Sequence, residues 1–251
     1  MELDKIYNMD CLEGMKEIPD GSVDAIICDL PYGTTANKWD SIIPLDKLWA
    51  QYKRIIKPNG AICLFGVNPF TASIVISNPK WYKYDWIWQK EQGVGFQLAK
   101  FRPMMMTEIV SVFCKTTPKY NPQMIKLDNP VKKKYKAGSN GKSDTSPLRH
   151  SREWTAEYTE SYPVNVLPFA RDRDEIDVFH PTQKPVDLLR YLVRTYSNEG
   201  DTILDNCMGS GTTAVACIKE KRHFIGFELN KDYYDKACQR IDAEQRQLTL
   251  F

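Results

Sequence analysis

The chain has 251 residues, 42% of them apolar, which is enough to bury one large core. Its amino terminus is polar and no run of about 18 apolar residues occurs, so neither a secretory signal nor a membrane span is expected, and the predicted location is the cytoplasm. Because 34 basic residues nearly balance 32 acidic ones, the net charge does not indicate a nucleic-acid partner. The seven cysteines form no C-x-x-C pair, so no metal site is expected.

Apolar runs alternate with stretches of helical periodicity, which is typical of an α/β sheet with helices on both faces. In the first half we predict helices at residues 45–56 and 69–77, a turn at 57–60, and strands at 23–28, 61–65, 84–88 and 109–113. Met104 to Met106 are expected to fill gaps in the core. A second series follows, with strands at 202–205 and 223–227 and helices at 213–220 and 231–244.

Residues 116–179 lack this periodicity and are rich in Pro, Asn, Gly, Ser and Lys, which predicts a long, loop-rich insertion. The insertion is locally basic, since residues 126–152 contain eight Lys or Arg and only two Asp. A solvated loop and a polyanion-binding surface both fit that charge, and the charge alone does not decide between them. We therefore predict one domain, residues 1–251, that includes a basic insertion.

A glycine turn in residues 202–213, TILDNCMGSGTT, joins a predicted strand to a predicted helix. Gly209 and Gly211 would let a ligand approach the backbone, and the helix amino terminus favours a negative group. After the next strand, Glu228 can accept hydrogen bonds from both hydroxyls of a ribose, or it can cap the helix ahead of Asn230. The turn and the acidic residue favour an adenosyl-type cofactor, and by themselves they also fit a nicotinamide-dependent oxidoreductase.

A second candidate motif, Asp29-Leu30-Pro31-Tyr32, directly follows the predicted strand at 23–28. By itself such a tetrapeptide is often an ordinary turn. Together, DLPY and the DNCMGSG of residues 205–211 resemble motifs IV and I of the amino-methylating DNA methyltransferases, in the order of their permuted β class. HPTQKP at residues 180–185 resembles motif X of that family, and NMDC at residues 8–11 resembles motif III.

The resemblance implies a Rossmann-like methyltransferase fold with a mostly parallel sheet, in one catalytic domain that uses S-adenosylmethionine (SAM). It also implies a flipped target base stacked on Tyr32, with Asp29 and the carbonyl of Leu30 accepting the two amino hydrogens and Pro31 shaping the loop. Methyl transfer is then a direct displacement without a metal. The cofactor-binding residues that it implies are Asp10, Asp29, Thr182, Lys184, Asp205, Gly209, Gly211, Thr212 and Glu228.

This sequence departs from the family pattern at Leu30, where the family usually has Pro, and at Asn206 and Cys207, where it usually has Pro-Phe. Leu30 still supplies the backbone carbonyl that the family uses. At residues 206 and 207 the turn can sit differently against the cofactor.

The family pattern also bears on the substrate. Asp in the first position of motif IV usually goes with adenine and Ser with cytosine, so Asp29 favours N6 of adenine over N4 of cytosine. No Pro-Cys dipeptide is present, which disfavours methylation at carbon 5 of cytosine. The insertion is expected to be the target-recognition region on double-stranded DNA, and the predicted substrate contacts besides Tyr32 are Trp39, Lys132, Lys133, Lys134 and Arg149.

Several alternatives stay open at this point. The chain can be an N4-cytosine enzyme, an RNA adenine methyltransferase, or a regulator that binds SAM or DNA without catalysis. Trp39 can line the base pocket or pack in the core, and Lys184 can be a helix-entry residue. The sequence determines neither the recognition site nor a restriction endonuclease partner, and a homodimer is compatible with it.

Overall fold

The computed structural model describes residues 1–33, 42–135, 154–172 and 183–248. The chain forms two compact units, one made of Met1–Asn121 and Asn165–Phe251 and the other of Pro122–Val164. Trp39, Arg149 and Thr182, three of the predicted site residues, lie outside the described residues. None of the described helices is long and apolar enough to cross a membrane.

The first unit contains an eight-stranded sheet. Its strands are β1 (Lys5–Tyr7), β2 (Val23–Cys28), β3 (Ile56–Gly66), β4 (Tyr82–Val94), β5 (Met105–Phe113), β8 (Val166–Pro168), β9 (Thr202–Asp205) and β10 (His223–Phe227). Their order across the sheet is β1-β10-β9-β2-β3-β5-β4-β8. Every neighbouring pair is parallel except the two that involve β5, which confirms the predicted mostly parallel sheet.

In the described part of the chain, six α-helices cover the two faces of this sheet. They are α1 (Cys11–Lys16), α2 (Leu45–Ile55), α3 (Phe70–Ser77), α4 (Val186–Tyr196), α5 (Thr212–Lys219) and α6 (Lys231–Leu248). Side chains of β2 alternate between two cores, with Ala25 and Ile27 in the core that contains α4, α5 and α6, and Ile26 and Cys28 in the core that contains α1, α2 and α3. The strands are apolar on both faces because both faces are covered.

From the two central neighbours β2 and β9, the chain continues toward opposite edges of the sheet. From β2 the chain continues to β3 on one side, and from β9 it continues to β10 on the other. In open parallel sheets, ligands bind at such a switch point, outside the carboxyl ends of the strands. The fold therefore directs attention to the ends of β2 and β9.

Two expectations about the first unit are wrong. Residues 57–60 belong to β3 instead of forming a turn, and the pairing of β2 with β3 shifts register between Val23 and Ala25 to accommodate them. Met104, Met105 and Met106 are about 41–43% exposed instead of buried. They lie at the end of the hairpin where β4 and β5 are connected, and no sequence periodicity indicates that this end is exposed.

The second unit is a two-stranded antiparallel ribbon of β6 (Ile125–Tyr135) and β7 (Trp154–Ser161). Part of the segment predicted to be loop-rich is thus strand. The ribbon is polar on both sides, so it lacks the apolar alternation that reveals strands in a sequence. Lys132 lies 3.6 Å from the carboxylate of Glu157, Lys133 lies over the ring of Tyr158, and Lys134 is paired with Thr155 in the ladder.

Candidate active site

A cavity of about 350 Å³ opens at the carboxyl ends of the parallel strands, at the switch point between β2 and β9. This volume lies within the usual range of pockets for small molecules and cofactors. Nine predicted site residues line it: Asp10, Asp29, Leu30, Pro31, Tyr32, Lys184, Asp205, Gly209 and Glu228. Residues from five different parts of the sequence therefore meet where parallel strands end.

Gly211 and Thr212 do not line this cavity. Gly211 has a φ of 78° at the start of α5, and a Cβ there would lie 3.3 Å from Cβ of Ala237. Thr212 is buried, and its hydroxyl hydrogen-bonds Ser210 and accepts from Arg240. In the described residues, these two take part in the backbone turn and its packing against α6, and the cofactor contacts predicted for them stay a prediction.

Asp205 organises the glycine turn. Its Oδ1 accepts a hydrogen bond from the backbone N–H of Cys207 at 3.0 Å, and its Oδ2 accepts one from the hydroxyl of Thr213 at 2.6 Å. Burial raises the pKa of Asp205 to about 6, against these hydrogen bonds, which lower it. The carboxylate thus ties the end of β9 to the first turn of α5.

Two of the three residues that depart from the family pattern, Asn206 and Cys207, lie in this turn. Asn206 is buried, accepts a hydrogen bond from the hydroxyl of Tyr52 on α2, and donates to the sulfurs of Cys11 and Cys207. Its side chain therefore braces the turn against the neighbouring helix. Asp10, next to Cys11 in the cavity lining, caps α1 by accepting from Leu12 N–H at 2.8 Å.

Glu228 lines the same cavity as Asp205. Its Oε2 accepts from the backbone N–H of Gly209 at 2.8 Å, and its Oε1 accepts from that of Asn230 at 2.7 Å. Burial raises the pKa of Glu228, although the two backbone donors lower it. Each carboxylate oxygen can accept more than one hydrogen bond, so both retain acceptor capacity toward the cavity. Glu228 braces the chain at Asn230, whose own side chain caps α6, and it also lines the cavity, so its role at a ribose stays a prediction.

Asp29 and Tyr32 lie at the end of β2. Asp29 accepts a hydrogen bond from the Tyr32 hydroxyl at Oδ1, at 2.5 Å, and one from the Lys184 ammonium at Oδ2, at 2.6 Å. Burial raises the pKa of Asp29, the neighbouring ammonium lowers it, and the carboxylate of Glu108 raises it. The Tyr32 ring packs against Phe70 with their centroids 5.1 Å apart. Leu30 is buried, which fixes the loop that carries Asp29.

Four charged side chains form a buried chain that ends at Asp29. Lys184 contacts both Asp29 and Glu108, the latter at 3.2 Å, and Glu108 also pairs with Lys90. Lys90, Glu108 and Lys184 are 4%, 11% and 9% exposed in their side chains, so each needs the opposite charges beside it. Burial lowers the pKa of Lys184, but the two carboxylates outweigh it and raise that pKa above its ordinary value. Lys184 is therefore a charged ammonium held between two carboxylates.

Sequence reasoning missed Glu108 and Lys90. A signal was present in the period of two along both strands. On β4, every second residue, Trp86, Trp88 and Lys90, points inward. On β5, Glu108 lies two residues before the inward Val110 and therefore shares its face. Trp88 and Glu108 are direct partners across the two strands. A charged residue that shares the inward face of a strand with buried apolar residues indicates a buried ion pair at that end of the strand.

Gln183 was also missed. It lines the cavity, and within the described part of the chain both polar atoms of its amide are buried without a hydrogen-bond partner. A buried polar group without a partner costs about 1–3 kcal/mol. The amide is thus available to a group that enters the cavity.

The parallel sheet, the braced glycine turn and the carboxylate at the switch point define a Rossmann-like, ligand-binding enzyme domain. The chain belongs to a DNA methylase family, whose family model matches residues 23–239. This match confirms the family predicted from the motifs at residues 29–32 and 205–211.

The comparisons with individual proteins agree with the family. Type II methyltransferase M1.MboII of Moraxella bovis is 26% identical, over 94% of this chain and 96% of its own length. DNA adenine methyltransferase YhdJ of Escherichia coli strain K12 is 29% identical, over 96% of this chain and 84% of its own. The solved structure of the M1.HpyAVI–SAM complex has a TM-score of 0.63 and 24% identity, and covers 94% of this chain and 98% of that one.

Proposed function

We propose that this chain transfers a methyl group from SAM to N6 of adenine in double-stranded DNA. The observation that carries the proposal is the Asp29 carboxylate, which lies in one cavity with the braced turn at Gly209 and with Glu228. Membership of a DNA methylase family supports the substrate class, and the name of one relative, a DNA adenine methyltransferase, supports the base. The Asp in the first position of motif IV supports the same base.

The residues around the turn fit SAM. Glu228 is oriented by two backbone N–H groups, so its carboxylate can accept from ribose hydroxyls, and Asp10 lies on the wall where the adenine ring would bind. The backbone at Gly209 leaves room for the methionine end, whose carboxylate suits the N-terminal end of α5. Gln183 offers an unpaired amide to a ligand in the same cavity. When bound, SAM supplies a methyl group on a positively charged sulfur.

Asp29 acts on the amino group of the target base. The lone pair of an aromatic amine is delocalised into the ring, so the nitrogen is a poor nucleophile until both hydrogens are held out of plane. The carboxylate of Asp29 and the carbonyl of Leu30 accept these two hydrogens. Tyr32 stacks on the base, and the amino group takes the place at Oδ1 that the Tyr32 hydroxyl holds.

Lys184 keeps Asp29 in the acceptor state. Burial favours a protonated Asp29, which would lose acceptor capacity, and the ammonium at 2.6 Å favours the ionised form. Glu108 contacts this ammonium from the other side, and its negative charge partly offsets the lowering of the Asp29 pKa by Lys184. We therefore assign Lys184 to the catalytic carboxylate, in place of the predicted role in binding the cofactor.

The remaining assignments extend the same proposal. Residues 116–179, with Lys132, Lys133, Lys134 and Arg149, serve as the target-recognition region of one catalytic domain that works in the cytoplasm. A homodimer is compatible with this arrangement.

Incubation of the purified chain with tritiated SAM and unmethylated genomic DNA tests the function directly. The DNA is digested to nucleosides, and the expected labelled product is N6-methyldeoxyadenosine. The Asp29→Ala variant serves as the control, because it should bind SAM and leave the DNA unlabelled.

Other outcomes of this assay are equally informative. Labelled N4-methyldeoxycytidine would keep the mechanism and change the base. If DNA stays unlabelled while SAM binds, parallel incubation with RNA separates an RNA methyltransferase from a regulator that binds without catalysis.

A further inference from the structure

The hairpin of β4 and β5 ends in an exposed apolar tip that the reaction at Asp29 does not use. This hairpin tip, residues 94–106, contains six exposed apolar side chains. Phe96 and Phe101 are 79% and 85% exposed, and Leu98 and the three methionines Met104, Met105 and Met106 are between 41% and 44% exposed. Apolar side chains concentrated in one exposed segment mark an interaction surface.

The hairpin tip is an ordered structure. Gly95 has a φ of 91° and starts a short 3₁₀ helix, Phe96–Leu98, closed by a hydrogen bond from Leu98 N–H to Gly95 O at 2.9 Å. Two further backbone bonds, from the N–H groups of Phe101 and Arg102 to Leu98 O, continue the turn. Because the backbone of the tip is already hydrogen-bonded, less of its conformational entropy is lost when the exposed rings insert into a partner.

The hairpin tip lies beyond the same ends of the strands as the cavity, that is, at the carboxyl ends of β2, β3 and β4. β4 runs in the same direction as β2 and β3, because β5 is antiparallel to both of its neighbours. Its carboxyl end therefore points where Asp29 lies. Glu108 lines the cavity and Met105 pairs with Val94 at the base of the tip, so three residues, or about 10 Å of strand, separate the cavity wall from the tip.

The charge of the hairpin tip identifies its partner. Residues 94–106 include Lys100 and Arg102 and contain no carboxylate. Basic side chains beside exposed aromatic rings match a polyanion with stacked bases inside it. A duplex from which one base has been flipped presents both features, since the gap exposes the faces of the neighbouring bases.

We propose that the hairpin tip inserts into duplex DNA beside Asp29 and that Phe101 fills the gap left by the flipped target base. This inference rests on the proposed function and adds how the extrahelical base is stabilised. Lys100 and Arg102 contact the flanking phosphates. Apolar wedges between base steps are a known means by which proteins distort DNA.

The test compares two duplexes that carry the recognition sequence mapped by sequencing DNA methylated by the wild-type protein. In one duplex the target adenine is paired with thymine, and in the other it faces an abasic site, so no base pair is broken when it flips. Phe101→Ala should lower kcat/KM on the paired duplex by about 10-fold or more, in line with the loss of one base–aromatic stack. On the abasic duplex the same variant should stay close to the wild type. Phe101→Trp should retain activity on both duplexes.

Ile76→Ala is the matched control, since Ile76 is an apolar side chain of α3 that is 76% exposed and outside the hairpin tip. It should leave both rates unchanged. Lys100→Ala should weaken binding to both duplexes and lower the salt dependence of binding by about one phosphate contact.

Three results would overturn the proposal: an equal loss of rate on both duplexes, no loss on either, or a wild-type dimer in light scattering that Phe101→Ala converts to a monomer. The last would identify a second copy of the chain as the occupant of the tip. If the wild-type protein binds SAM but methylates no DNA, the proposed function fails, and the inference falls with it for that separate reason.

Discussion

The role of Glu228 offers the sharpest test of the cofactor site. Its carboxylate is half-buried and oriented by Gly209 N–H at 2.8 Å and Asn230 N–H at 2.7 Å. A hydrogen bond from a ribose hydroxyl to such a charged acceptor contributes about 1.5–3 kcal/mol, which corresponds to about 10- to 150-fold in affinity. S-adenosylhomocysteine should therefore bind the wild-type protein about 10- to 150-fold more tightly than its 2′-deoxy analogue.

Glu228→Ala should abolish this preference for the hydroxyl. Titration calorimetry with both ligands on both proteins forms a thermodynamic cycle, in which the interaction of carboxylate and hydroxyl is separated from damage to the turn. The cycle is needed because the variant also leaves two backbone N–H groups without an acceptor. Glu199→Ala, at an exposed residue outside the cavity, should behave as the wild type. Equal preference for the hydroxyl in wild type and Glu228→Ala would mean that Glu228 only braces the chain.

Three further predictions concern catalysis, pH and packing. Asp29→Asn should lower kcat by about 100-fold or more while SAM affinity stays within about threefold, because an amide presents a weaker acceptor at the reacting nitrogen. Burial raises the pKa of Asp29, so the acid limb of the pH–kcat profile should lie above the ordinary range of an aspartate. Lys184→Met removes the charge that lowers this pKa and should move the limb to higher pH, whereas Glu108→Gln removes the charge that raises it and should move the limb to lower pH. Gly14→Ala would put a Cβ 2.2 Å from the ring of the buried Phe227, so it should destabilise the fold by about 1–3 kcal/mol and lower Tm by about 2–10 °C.

Each of these predictions has a control within the chain. Asp20→Asn, at an exposed aspartate, should keep full activity. Shifts of the acid limb in the same direction for both variants of the charged chain would contradict the opposed influence of Lys184 and Glu108 on Asp29. Glu13→Ala, on the exposed side of the helix that contains Gly14, should leave Tm nearly unchanged, and an unchanged Tm for Gly14→Ala would refute the packing argument.

Much of the candidate site could be predicted because its main residues follow short apolar strands. Asp29 comes directly after β2 and Glu228 directly after β10. In each case the strand and the acidic residue that follows it lie within about a dozen residues of sequence. Parallel strands bring their carboxyl ends to one edge, so these distant residues could be expected to meet.

Residue roles that depend on contacts across strands or helices could not be predicted in this way. Lys184 was expected at the cofactor, yet it contacts Asp29 and Glu108, because the entry to α4 places it between β2 and β5. Gly211 and Gly209 look equivalent in the sequence, but only Gly209 lines the cavity, since Gly211 packs against α6.

The sequence by itself determined the class of fold, the family and the carboxylate proposed to meet the substrate, because apolar periodicity and two short motifs are local properties of the chain. The tertiary structure alone decided that Lys90, Glu108, Lys184 and Asp29 form one chain of alternating charges, and that the end of the β4–β5 hairpin is exposed. The physical reason is that the environment of a charge or an apolar side chain depends on what packs beside it. That neighbour comes from a different strand or helix, often more than 70 residues away along the chain.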